Sequence, residues 1–241
     1  MTKRIILSEH QIKVITEQCM IDEIMSNNKE GSLSQKVKHL LMIGVAASTI
    51  AVAINRAVAS QDEKRDAMEL IRDSAVDSLF NAKVDALKKY MTTAAKNQGY
   101  NPEDIKLSPE EIVKASDETG FDLPFLVAAM HQESCFGLSP RSRRTNSVCN
   151  VGSYDNGRDV VKYPTQNSSI IPYIHLIQND YLTDEKTLND LLQKDKFVNF
   201  GGKRYASDKK YESKIKYLIN YIKKNYPILA KKASDIEYPE V

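Results

Sequence analysis

An α+β fold that is predominantly α is predicted for this chain of 241 residues, and three observations predict it. Apolar residues recur three and four positions apart through 63–97, 170–181 and 211–226, the period of an amphipathic helix. Helix-start signals precede two further stretches, at Ser108-Pro109 and at Asp122 with Pro124. One β signal accompanies them: Asp155-Asn156-Gly157, a hairpin-turn sequence, sits among short β-favouring pieces in 147–163.

The composition, 41 % hydrophobic and 27 % charged, fits a globular protein with a real core and argues against disorder. The length allows one or two domains. A net charge of only +2 gives no basic field, so no nucleic acid is expected as a partner. Cys19, Cys135 and Cys149 show no metal-ligand spacing, and His10, His39, His131 and His175 are scattered, so no metal or organic cofactor is expected. Free thiols are the default reading; a Cys135–Cys149 bridge stays open, because sequence does not say whether their Cβ atoms meet.

The elements follow in order. Ser8 and Gln11 occupy the N-cap and N3 positions of a capping box, and Ile12, Ile15, Ile21, Ile24 and Met25 supply an apolar face after it. Residues 26–34 form a polar loop. Residues 40–54 carry no charge, yet a spanning helix needs about 20 apolar residues. Extension to Ala59 takes in Asn55 and Arg56, whose guanidinium can snorkel to a headgroup layer. Two readings stay open: a helix buried in the protein or against another copy, and membrane contact through 40–59. A secretory signal is not expected, because the leading stretch is long and contains Glu9, Glu17, Asp22, Glu23 and Glu30. From Glu63 to Asn97 there is no Gly or Pro, and Met68, Ile71, Ala75, Leu79, Val84, Leu87 and Met91 line one helix face that needs a partner. Residues 1–97 therefore read as a helical anchoring or interaction region.

Gln98-Gly99 and Asn101-Pro102 break the helix, and 98–107 is read as a linker. Residues 108–228 are read as the functional domain and 229–241 as a tail. Ser108 is the N-cap of a helix with Pro109 at N1 and Glu111 at N3, stopped by Gly120. Asp122 starts the next. Ser168-Ser169 opens a helix burying Ile170, Tyr173, Ile174, Ile177 and Tyr181. Ser207-Asp208 opens the last, with Tyr211, Ile215, Leu218, Ile222 and Tyr226 on one face.

The helix after Asp122 is the one that carries chemistry. It is apolar for six residues and then polar, ending at Glu133 and Ser134. Leu126, Ala129 and Met130 precede Glu133 at positions that share its face. A carboxyl at the end of an apolar face loses solvation, and the negative end of a helix disfavours its charge further. Both effects raise its pKa toward a range useful for proton donation near neutrality.

Four ordered segments follow. They are Glu133-Ser134 with Phe136-Gly137; a loop with Asn146, Asn150 and Gly152; the stretch from Tyr163 to Ser169; and Tyr205-Ala206-Ser207-Asp208 with Tyr211. Together they resemble the glucosaminidase/lysozyme-like superfamily of bacterial autolysins and phage cell-wall hydrolases, over about half the chain. The resemblance implies a lysozyme-like catalytic domain that cuts peptidoglycan glycan strands, and the helical region read in 1–97 precedes it. It implies Glu133 as general acid and Tyr205 in the cleft beside the reacting sugar. It also implies Ser134, Phe136, Asn150, Tyr154 and Tyr163 as substrate-binding residues. The family's usual tryptophan is absent, so Tyr154 or Tyr163 would stack on sugars. For a second carboxylate, Asp155 and Asp159 flank the turn, although Asp155-Asn156-Gly157 is also an ordinary type I′ turn. The substrate's own acetamido group, or a transglycosylase route ending in an anhydro sugar, needs none.

A catalytically inactive wall-binding or virion part is the alternative function. The basic clusters at 141–144 and 203–224 read either as a solvated face or as attraction to an anionic wall polymer. A wall enzyme without an export signal fits a virion or the bacterial envelope, with 1–97 available for self-association or for virion proteins.

Overall fold

The computed structural model of this chain describes residues 21, 24–25, 32–42, 50, 53–54, 60–153, 156–183 and 185–235. The capping box at Ser8, the thiol of Cys19, most of the 40–59 run, and Tyr154 and Asp155 lie outside the described residues. The chain divides into two compact units, Met1–Leu79 with Lys232–Val241, and Phe80–Lys231.

The first unit has its own core. Ser32 and Gln35 cap helix α1 (Leu33–Met42) reciprocally: the Gln35 N–H donates to Ser32 Oγ, and the Ser32 N–H to Gln35 Oε1 at 3.0 Å. Helix α2 (Gln61–Asn97) opens with the same device, Ser60 paired with Glu63. Val37 and Leu40 of α1 pack with Ile50, Ile54, Ala67 and Ile71. The described members of the uncharged run, Leu40, Ile50, Ala53 and Ile54, are thus buried within the protein. Among the described residues no helix is long and apolar enough to cross a membrane.

The division between units falls inside α2, ahead of the expected break at Gln98 to Pro102. The reason is that the second half of α2 contributes Val84, Leu87, Tyr90, Met91, Ala94 and Ala95 to the core of the second unit. That unit continues through α3 (Pro109–Thr119), α4 (Leu123–Ser134), α5 (Pro140–Thr145) and α6 (Ile170–Leu176), which runs into a π turn (Ile177–Tyr181). A short α7 (Leu188–Leu191) and α8 (Tyr211–Asn225) follow. Ser108 accepts from the Glu111 N–H and Gly120 closes α3 in the left-handed region, as the sequence predicts. Asp122 accepts from the Phe125 N–H at 2.8 Å and starts α4. Residues 123–130 are all buried, so α4 is a core helix, apolar all round. Helices α8 and α3 pack against it, and α3 also meets α6.

The protein is predominantly helical, and the expected hairpin is a correction. No strand forms among the described residues. A single antiparallel bridge joins Ser153 and Asp159, and the Val160 N–H donates to the Gly152 carbonyl at 2.9 Å. Asn150 and Gly152 both take left-handed backbone (φ 55° and 73°), which interrupts extension just before the bridge. Val160 is exposed and no third strand covers this arm; two strands alone are marginal in water. A similar bridge joins Val198 and Arg204 around the loop 199–203.

Candidate active site

Helix α4 ends unusually, and that ending places Glu133. Cys135 and Phe136 both adopt left-handed backbone, at φ 48° and 60°. Such conformations cost non-glycine residues of order 1–3 kcal/mol each, and the surroundings must enforce them. The Cys135 and Phe136 N–H groups bond back to His131 and Met130 carbonyls at 2.9 and 3.1 Å. The Phe136 ring is fully buried, edge-on to Tyr90 and close to His131. Ser134 Oγ donates to the Val148 carbonyl at 2.6 Å and accepts from the Gly137 N–H at 2.8 Å. Gly137, at φ 84°, leaves no room for a Cβ, which would run into the side chain of Gln166. The chain therefore turns away abruptly after Glu133 and leaves its carboxyl at the helix end.

The carboxyl forms part of the wall of a cleft of about 730 Å³ in the second unit. Gln132, Asn150, Asp180, Arg204, Tyr205 and Tyr211 also line it. The Asn150 Nδ2 donates to Glu133 Oε2 at 2.9 Å and to the Glu133 carbonyl at 3.0 Å. Asn150 Oδ1 is buried and has no partner among the described residues. Burial pushes the Glu133 pKa above the usual carboxylate range, offset in part by Tyr211 and Asn150. Tyr211 is 3 % exposed, and its hydroxyl makes no hydrogen bond of normal geometry among the described residues.

Tyr205 lines the same cleft, and its hydroxyl donates to the Cys149 carbonyl at 2.7 Å. Its ring sits in a cluster with Tyr173, Tyr181, Phe197 and Tyr211. Burial raises the phenol pKa of Tyr173, Tyr205 and Tyr211 well above normal, and the Glu133 charge adds to it, so all three stay protonated. Cys135 and Cys149 are buried free thiols.

The loop bearing Tyr205 is held from below. Glu212, 2 % exposed, accepts from Arg204 through both carboxylate oxygens at 2.8 and 3.0 Å, and Arg204 also pairs with Asp195. The fork of the guanidinium satisfies a carboxylate that burial would otherwise penalise.

Several expected site residues stand elsewhere. Ser134 and Phe136 are both buried, and both hold the helix end. Tyr163 is half-buried outside the cleft lining, where its carbonyl accepts from Asn146 Nδ2. Asp159 is also outside the lining. Arg144 and Arg141, at 2.6 and 2.7 Å, hold its carboxyl down at about 2. Among the described residues no three His, Cys, Asp or Glu side chains gather in a way that would hold a metal ion.

Asp180 and Tyr211 were not expected in the site, nor Phe200 beside it. Asp180 lies on the π turn, a feature frequent at functional sites because it re-aims side chains. Phe200 is 73 % exposed, next to Asn199 of the cleft wall, and its N–H donates to the Asp180 carbonyl at 3.0 Å. Tyr211 had a signal, closing the last of the four segments; Asp180 and Phe200 had none. No family model, no curated protein and no solved structure matches the chain.

Proposed function

We propose that this protein cleaves the glycan strands of bacterial peptidoglycan, at the β-1,4 bond between N-acetylglucosamine and N-acetylmuramic acid, with Glu133 as proton donor. The observation that carries this reading is the Glu133 carboxyl itself: half-buried, shifted toward its neutral form, and open to a cleft of about 730 Å³ lined by polar groups and tyrosines. A carboxylic acid that keeps its proton until it meets a leaving oxygen is what glycoside cleavage requires.

In the reaction the bond between C1 and the leaving oxygen breaks as Glu133 gives that oxygen its proton. The resulting carboxylate is met by the Asn150 Nδ2–H, with the Tyr211 hydroxyl beside it. Among the described carboxyls lining the cleft, Asp208 is engaged by Lys214 at 2.7 Å, whereas the Asp180 carboxyl makes no hydrogen bond or ion pair with the described residues. Asp180 is therefore assigned to take a proton from the attacking water, which adds at C1. The resemblance to lysozyme-like wall hydrolases supports the same reaction, and with it a place in a virion or at the cell envelope.

The test is digestion of purified peptidoglycan by the full chain, with reduced-end analysis and mass spectrometry of soluble fragments. Release of fragments that Glu133→Gln abolishes, a loss of about 100-fold or more, is the expected result. Asp180→Asn should lose activity as well; undiminished strand cleavage by that variant would reassign the second step to the substrate's acetamido group, or to its C6 hydroxyl where the product is an anhydro sugar. If wild type and Glu133→Gln release equally little from walls of several bacteria, the reading is wrong and a wall-binding role replaces it.

A further inference from the structure

The cleft does not end at Gln132. That residue also lines a second cavity of about 510 Å³ in the same unit, together with Gln98, His131, Ser213, Lys214 and Tyr217. The two cavities meet again where Asp208, a wall of the first, pairs with Lys214, a wall of the second.

Apart from Lys214, which pairs with Asp208 at 2.7 Å, the groups lining this second cavity are uncharged. Tyr90 shares a 2.6 Å hydrogen bond with His131 Nδ1, and burial holds His131 at about 4, so its ring is neutral near pH 7. Burial keeps the Tyr90 phenol protonated, so a neutral phenol and a neutral imidazole share this bond. Gln98, Gln132 and Ser213 supply neutral donors and acceptors. Tyr217 is 68 % exposed at the cavity and Tyr221 is exposed one turn further along α8. An exposed aromatic face beside neutral hydrogen-bonding groups suits a sugar ring, whose apolar face stacks while its hydroxyls and acetamido group bond at the edge. A stem peptide, which carries free carboxylates, would find no unpaired cation in this wall.

We propose that the second cavity is a distal subsite for the same glycan strand, with Tyr217 as its stacking platform and Gln132 as the divide between it and the reacting centre. The assignment rests on the glycosidase reading for its ligand. It makes the enzyme selective for long strands over short fragments.

The experiment compares long, peptide-free glycan strands with a tetrasaccharide of the same repeat. Tyr217→Ala should raise KM for long strands about five- to tenfold, the worth of one aromatic stack, with kcat and the tetrasaccharide rates unchanged, and Tyr217→Phe should restore wild-type KM. Equal losses on both substrates, loss of kcat, or no change on long strands would each overturn it. A loss confined to peptide-bearing strands would overturn it too. Calorimetric binding of the long strands to Glu133→Gln and to Glu133→Gln/Tyr217→Ala separates the two readings. A wild type that cuts nothing, with binding still weakened by Tyr217→Ala, would end the catalytic reading and leave the subsite standing.

Discussion

Glu133 is a residue whose chemistry works against the fold. Its pKa in the folded protein lies above that of an exposed glutamate because burial disfavours the charge. Below the unfolded value, about 4.3, both states hold the proton and there is no penalty. As pH rises through the window up to the folded value, only the unfolded chain gains by ionising, so stability falls. Glu133→Gln should therefore raise the melting temperature at pH 7 and lose that advantage near pH 3. Calorimetric scans of both proteins across this range check it, and an advantage independent of pH would show that Gln packs better for other reasons. Neighbouring residues divide the labour: Asn150 and Tyr211 face the acid, while Ser134 and Phe136 hold the helix end that presents it. Sequence order spread the four over three segments of one resemblance and did not separate these roles, because Ser134 finds its partner Val148 only across a loop.

At the scale of elements, α4 is legible because its signals are local. Asp122 caps it and its apolar run makes it a core helix. The loop before α8 is not, because its stability comes from a pair far apart in exposure. Arg204 and the buried Glu212 are eight positions apart and charged, and nothing in their spacing marks one as buried. Arg204→Ala should leave that carboxylate unpaired and cost about 3–5 kcal/mol in urea unfolding. Arg204→Met/Glu212→Leu, which removes both charges, should cost clearly less than Arg204→Ala alone. If the double variant is worse, the pair contributes more than the removal of a stranded charge. The hairpin failed at this scale for a comparable reason. The turn sequence at 155–157 was present, but the sheet partner that would have stabilised its arms was not.

For the whole molecule, two cores matter. One gathers residues from 21 to 71 and the other from 84 to 229, and the cleft belongs to the second. A charge placed in the first core should then damage that unit and spare the chemistry. Leu40→Asp, at a fully buried position, should destabilise the first unit by about 3 kcal/mol or more. Hydrolysis per folded molecule should stay within about twofold of wild type, read by urea unfolding beside a wall-digestion assay. Loss of hydrolysis in step with that unfolding would mean that the cleft depends on the first core.

The sequence by itself determined the helices of the second unit, their caps and the place of Glu133 at a helix end, because capping, helix period and an apolar run ending in a carboxyl are relations between near neighbours. It also pointed to Tyr205 and Asn150 through the resemblance, and both line the cleft. Only the tertiary structure brought Asp180 and Glu133 to the wall of one cleft, since they lie on different helices and no local pattern links them. Only it decided that Phe136 is buried, that Tyr217 is bare, and that α2 serves two cores. Burial is a property of what packs on a residue from elsewhere in the chain, and a linear pattern carries that information only where the partner is close by.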